Sequence, residues 1–182
     1  MDPPPFDLDA LLPDPQVRVS HRREAAADPA TLWAAAGAVR LDETRTLGRL
    51  VRWRIPGTPR DLTFRELLAA PPFTILAEGE RWSVSGLAGR IWTVRRDYPD
   101  LGDAEGFARW SQGGTVRVLF AHWVAPAGDG RSALTSEARV APVDRAAAVR
   151  LRALWTVVGG WERLIGGEAL SRAAQRAGDS CG

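Results

Sequence analysis

The chain has 182 residues, 24 of them basic and 22 acidic, and hydrophobic residues make up 45%. That size and balance suit one ordinary soluble domain able to close its own core, and a formal net charge of only +2 excludes the strong positive face of a typical nucleic-acid binder. A single cysteine, Cys181, excludes an intrachain disulfide and fits a reducing, cytoplasmic setting, and no run approaches the ~18 apolar residues of a membrane span.

Residues 1–15 (MDPPPFDLDALLPDP) are acidic and hold five prolines. They read as an extended arm with a short turn at Leu11-Leu12, not as a secretory leader, which opens basic and continues apolar. The folded domain is expected over 16–177, with 178–182 a flexible tail. Val17 and Val19 alternate as in a strand. Asp28-Pro29 then marks a helix start: the aspartate accepts from first-turn N–H groups, and proline presets φ where no donor is needed. Leu32, Ala35, Ala36 and Val39 follow at helical spacing.

From Asp42 to Ile55 the residues Val51, Trp53 and Ile55 alternate, but Leu47 and Leu50 are explained only by a helix, so helix is predicted. Thr63-Phe64-Arg65-Glu66 has the capping-box pattern and predicts a short helix to about Ala70, before Pro71-Pro72. Phe73–Glu78, Arg81–Leu87 and Arg90–Arg96 read as strands separated by glycine turns. Asp103 caps a short helix through Phe107 and Trp110, Thr115–Val124 is a strand, PAGDG a turn, and Arg131–Val140 another strand. The longest helix is predicted from about Arg145 to Ala177. Its stripe of Ala147, Leu151, Leu154, Val158, Trp161 and Ile165 is interrupted at Gly159-Gly160, where a kink or close backbone contact is expected. No repeat of 20–50 residues occurs.

Two distant histidines and a lone cysteine offer no zinc set, and the acidic loop from Asp97 to Asp103 lacks the spacing of a calcium loop. Hydrolase, NTPase and dinucleotide signatures are missing. No metal or cofactor is therefore expected. His122 shares a strand face with Val116, Val118, Phe120 and Val124, where an imidazole could bond a ligand carbonyl or act as a general base; His21 lies in or just after the first strand. Eight tryptophans supply large flat apolar surfaces. Trp82, Trp92, Phe120, His122, Leu154, Val158 and Trp161 are the candidate ligand-binding set. Glu137 and Arg139 share one strand face, solvent-facing if that face is convex and a buried functional pair if it is concave. All basic residues are arginine, and seven of them lie between Arg40 and Arg65, a solvated face with an anionic membrane surface or nucleic acid as the alternatives.

Four segments, in order, carry a family resemblance: HRREAAADPATLWAAA, LAGRIWTV, GRSALTSEARV and LRALWTVVGGWERLIGGEAL. Together with strand, helices, antiparallel strands and long final helix, the chain resembles the START-like (SRPBCC, polyketide cyclase-like) superfamily over about Leu11 to Ala177. It departs at Gly159-Gly160, where several related sequences carry a proline. The resemblance implies an α+β helix-grip fold, a curved antiparallel sheet wrapped around a long C-terminal helix, with a cavity between them for lipids, isoprenoids or aromatic polyketides. The leading expectation is non-catalytic binding of a small hydrophobic molecule. The alternatives are a cyclase or aromatase using His122, and a protein- or membrane-interaction module using the Arg45–Arg54 face or the proline-rich arm.

Overall fold

The computed structural model describes residue 4 and residues 6–55, 57–93 and 98–179, and the side chains of these except 54 and 157–166. A short helix α1 (Leu8–Leu11) precedes strand β1 (Val17–Ala25), helix α2 (Pro29–Gly37), a 3₁₀ turn (Leu41–Glu43), α3 (Thr46–Arg54) and α4 (Phe64–Ala69). Then come β2 (Thr74–Gly79), β3 (Trp82–Gly89), α5 (Ala104–Arg109), β4 (Val116–Gly128), β5 (Arg131–Pro142) and the long α6 (Arg145–Asp179). The strands form an open, antiparallel five-stranded sheet in the order β1-β5-β4-β3-β2. The architecture is mixed α+β.

Helix starts follow the capping chemistry. Asp28 accepts from Ala30 N–H (2.9 Å) and Thr31 N–H (3.0 Å). Thr63 and Glu66 close a reciprocal capping box, with Thr63 N–H donating to Glu66 (2.9 Å) and Glu66 N–H to Thr63 Oγ (3.2 Å). Asp144 accepts from Ala147 N–H (2.7 Å) at the head of α6 and from Gly114 N–H (2.6 Å) before β4. α3 is capped from another element: Glu168 of α6 accepts from the N–H groups of Arg45, Thr46 and Leu47. Burial works against that carboxylate's charge, but the three donors outweigh it and hold its pKa below the ordinary range.

Three expectations are corrected. Residues 90–93 are not strand: they turn, with Thr93 N–H donating to Arg90 C=O at 3.3 Å. β3 already has β2 on one edge and β4 on the other, so a hairpin partner at 90–96 has no edge to join; residues 94–97 lie outside the described set. PAGDG is not all turn, since β4 runs to Gly128 with its irregularity between Pro126 and Gly128. A bulge tolerates the missing proline donor, and Asp129 (φ 51°) and Gly130 (φ 70°) form the two-residue link. The arm is not simply extended either. Leu8 and Leu12 are buried, and α1 packs on the sheet.

The sheet has two unlike faces. On the outer face Trp82, Val84, Leu119, Ala121 and Trp123 pack with Leu8 and Leu12 of the arm and Phe107 of α5. On the inner face two clusters form at opposite ends. One joins Val17, Leu87, Val116, Val118 and Val140 to Leu151 of α6, and the other joins Ala25, Val124 and Leu134 to Leu32 and Ala35 of α2 and Leu170, Ala173 and Ala177 of α6. Glu137 and Arg139 are on the outer face yet buried, each about 2% exposed. Arg139 bonds Glu137 (2.6 Å) and Asp9 of the arm (2.5 Å), and Arg18 pairs with Glu137 at 2.9 Å.

Candidate ligand cavity

A cavity of about 810 Å³ opens on the inner face between the sheet, α2, α4 and the C-terminal part of α6. Ile75 and Glu78 of β2, Ser83 and Ser85 of β3, His122 of β4 and Leu134 of β5 form its floor. Trp33 and Gly37 of α2, Phe64 and Leu68 of α4, and Ala169, Leu170 and Ala173 of α6 form the opposite wall. The wall is held by the caps: the Asp28 cap fixes where α2 begins and the Thr63–Glu66 box fixes α4, so that Phe64 and Leu68, four residues apart, share one helix face. Arg65, Glu80 and Arg81 also line the space.

His122 is the central polar group of the floor. Strand alternation puts it on the face of Val118, Phe120 and Val124, opposite Ser83 on β3 and Ser136 on β5. Protein surrounds the ring, and its remaining exposure is toward the cavity. Desolvation lowers its pKa from 6.5 to about 4, so the imidazole is uncharged near neutral pH. No hydrogen-bond partner for the ring exists among the described residues.

The other predicted contacts divide. Trp82 borders the cavity, but strand register puts its ring on the outer face, 4.6 Å from Phe6 between centroids. Phe120 is on the inner face and packs in the cluster around Leu151, its ring edge-on to Phe73 at 5.8 Å. Trp92 is off any strand, in that same cluster, with the Arg150 guanidinium 5.9 Å above its ring. Leu154 is half-buried on α6 and is not part of the cavity lining; the side chains of Val158 and Trp161 lie outside the described set. Sequence reasoning missed Trp33, Phe64, Leu68, Leu170 and Ala173. The available signal was the apolar spacing on two short helices and beyond the glycines of α6.

Among the described residues no group of three or more His, Cys, Asp or Glu is placed to hold a metal ion, and no helix is long and apolar enough to cross a membrane. The arginine-rich stretch is largely solvated. Arg40 pairs with Asp42 at 2.6 Å, and on α3 the arginines Arg45 and Arg49 are exposed beside Leu50 and Trp53, the latter 69% exposed.

Searches against protein-family models and against curated proteins found no match. Among solved structures, a hypothetical protein from Helicobacter pylori is 9% identical with a TM-score of 0.44, covering 97% of each chain. A protein from Thermus thermophilus is 11% identical with a TM-score of 0.36, covering 91% of this chain and all of that one. Neither likeness is close enough to establish a common fold.

Proposed function

We propose that the chain binds a small, mainly apolar molecule in the inner-face cavity, and that its architecture is the helix-grip arrangement of the START-like superfamily. The observation that carries this reading is the cavity: about 810 Å³, within the range of small-molecule sites, walled by Trp33, Phe64, Leu68 and Leu170, with its polar groups Glu78, Ser83, Ser85 and His122 gathered on the floor. A well-packed core leaves few voids larger than a water molecule, so a space of this size has to be sustained by the elements around it. Carrier or sensor behaviour, without chemistry, agrees with the rest of the site. A cyclase reading has less support, because an imidazole with a pKa of about 4 is a weak base, and no described carboxylate orients it.

Native mass spectrometry of protein purified without detergent tests the proposal. A bound mass released by organic solvent is expected, and the released extract should raise the melting temperature of the stripped protein through linkage. Protein of unmodified mass whose melting temperature no lipid extract changes would remove the reading.

A further inference from the structure

The floor of the cavity carries a polar row that crosses the whole sheet. His21 of β1 stands opposite Ser136 of β5, Ser136 opposite His122 of β4, His122 opposite Ser83 of β3, and Ser83 opposite Glu78 of β2. All five belong to the inner face, where the neighbouring positions Val19, Ala138 and Phe120 on one side and Leu134 and Val124 on the other are apolar. The row reaches the cavity through His122, Ser83 and Glu78, and Ser85, opposite Phe120, adds a second hydroxyl beside it. His122, Ser83 and Ser85 have no hydrogen-bond partner among the described residues.

These groups define what sits on them. A purely hydrocarbon guest seated on them would cover a ring N–H and two hydroxyls without pairing them, which costs free energy. A carboxylate or phosphate on the same spot would face the neutral imidazole of His122 and the carboxylate of Glu78 in the same row, and the lining as a whole carries no net charge, with Arg65 and Arg81 equal in number to Glu78 and Glu80. A burial of unpaired charge is the costlier of the two. An uncharged oxygen that accepts from the imidazole N–H or a serine hydroxyl satisfies the floor without either penalty.

We infer that the guest is a neutral amphiphile, an alcohol, ketone or ester, whose oxygen is held by His122, Ser83 and Ser85 while its apolar body lies against α2, α4 and the end of α6. This rests on the ligand-binding reading and narrows it. Four probes with one chain length separate the two: dodecane, dodecanol, a dodecanone and dodecanoate, each titrated at neutral pH against the melting temperature. The alcohol and the ketone should bind about tenfold or more tightly than the hydrocarbon and the carboxylate. That margin should vanish in Ser83→Ala combined with His122→Leu, with dodecane still raising the melting temperature of the variant. Should the variant not fold, the wild-type ranking and Ser85→Ala, which should narrow the margin, still decide. Carboxylate binding equal to or above that of the alcohol, or a margin unchanged by the substitutions, overturns the inference and leaves the cavity reading standing. Binding of none of the four overturns both.

Discussion

Acidification should destabilise this protein through His122 before its surface carboxylates matter. The imidazole has a folded-state pKa of about 4 against 6.5 for the free side chain, with desolvation as the cause. Between those values the unfolded chain binds a proton that the folded chain refuses, so stability falls as pH falls. The contribution is fully present above about pH 6.5 and is lost progressively down to about pH 4. At 1.36 kcal/mol per pKa unit the whole effect is about 3 kcal/mol, and about 2 kcal/mol of it is gone by about pH 5. Urea unfolding of the wild type and of His122→Asn, measured at intervals from neutral pH to about pH 5, isolates the histidine. The carboxylate titrations are common to both proteins, and the difference between their curves belongs to residue 122. The two should converge by about 2 kcal/mol across that range. Parallel curves would mean that the ring is solvated or paired, and the dry floor argued for the cavity would go with it.

Glu168→Ala removes the acceptor for three N–H groups at the start of α3; a loss of about 1–2 kcal/mol in chemical denaturation is expected, with amide exchange accelerated first in residues 45–50. Leu12→Ala should cost about 2–5 kcal/mol, because Leu12 is fully buried between arm and sheet, and a cost near zero in the same titration would show that the arm does not dock. Gly79→Ala would put its Cβ 2.2 Å from Trp82 Nε1. That indole packs tilted against Phe6, so about 1–3 kcal/mol of destabilisation is expected, together with altered tryptophan fluorescence. Ser83→Leu fills the cavity floor; it should leave the melting temperature of the stripped protein within a few degrees of wild type and abolish the ligand-induced rise. A ligand shift that survives would place the guest elsewhere.

Local signals in the sequence were sufficient wherever one short segment decides the outcome. Asp28-Pro29 specifies the start of α2 by chemistry confined to four residues, and Thr63 to Glu66 does the same for α4. The alternation of Val116 to Val124 was enough to put His122 on the inner face. Pairing at long range was not legible. Arg90–Arg96 looks like a strand by composition, and only the occupation of both edges of β3 excludes residues 90–93 from a hairpin with it. The arm shows the same limit: Leu8 and Leu12 are four apart, as a one-turn helix requires, but prolines on either side mask the spacing. For the cavity, the short helices supply more of the described wall than the apolar stripe of α6 suggested. Which helix face meets the sheet depends on loops whose path no local pattern encodes.

The division of labour between the sheet faces explains how such a floor can persist. On the outer face, α1 and Phe107 of α5 close over Trp123, Leu119 and Val84, all buried, and aromatic burial of this kind dominates core energetics. The Arg139–Glu137–Asp9–Arg18 cluster lies on that same side. Its buried members, Glu137 and Arg139, satisfy each other, and losing one would leave the other's charge stranded, while Asp9 of the arm and Arg18 of β1 reach the pair from exposed positions. On the inner face the two ends of α6 are clamped, by Leu151 against Val116 and Val140 at one end and by Leu170 and Ala177 against Leu134 and α2 at the other. The described apolar contacts of α6 with the sheet are therefore at its two ends. With apolar packing at both ends and behind the sheet, the polar row and the space above it are open to the role proposed for them.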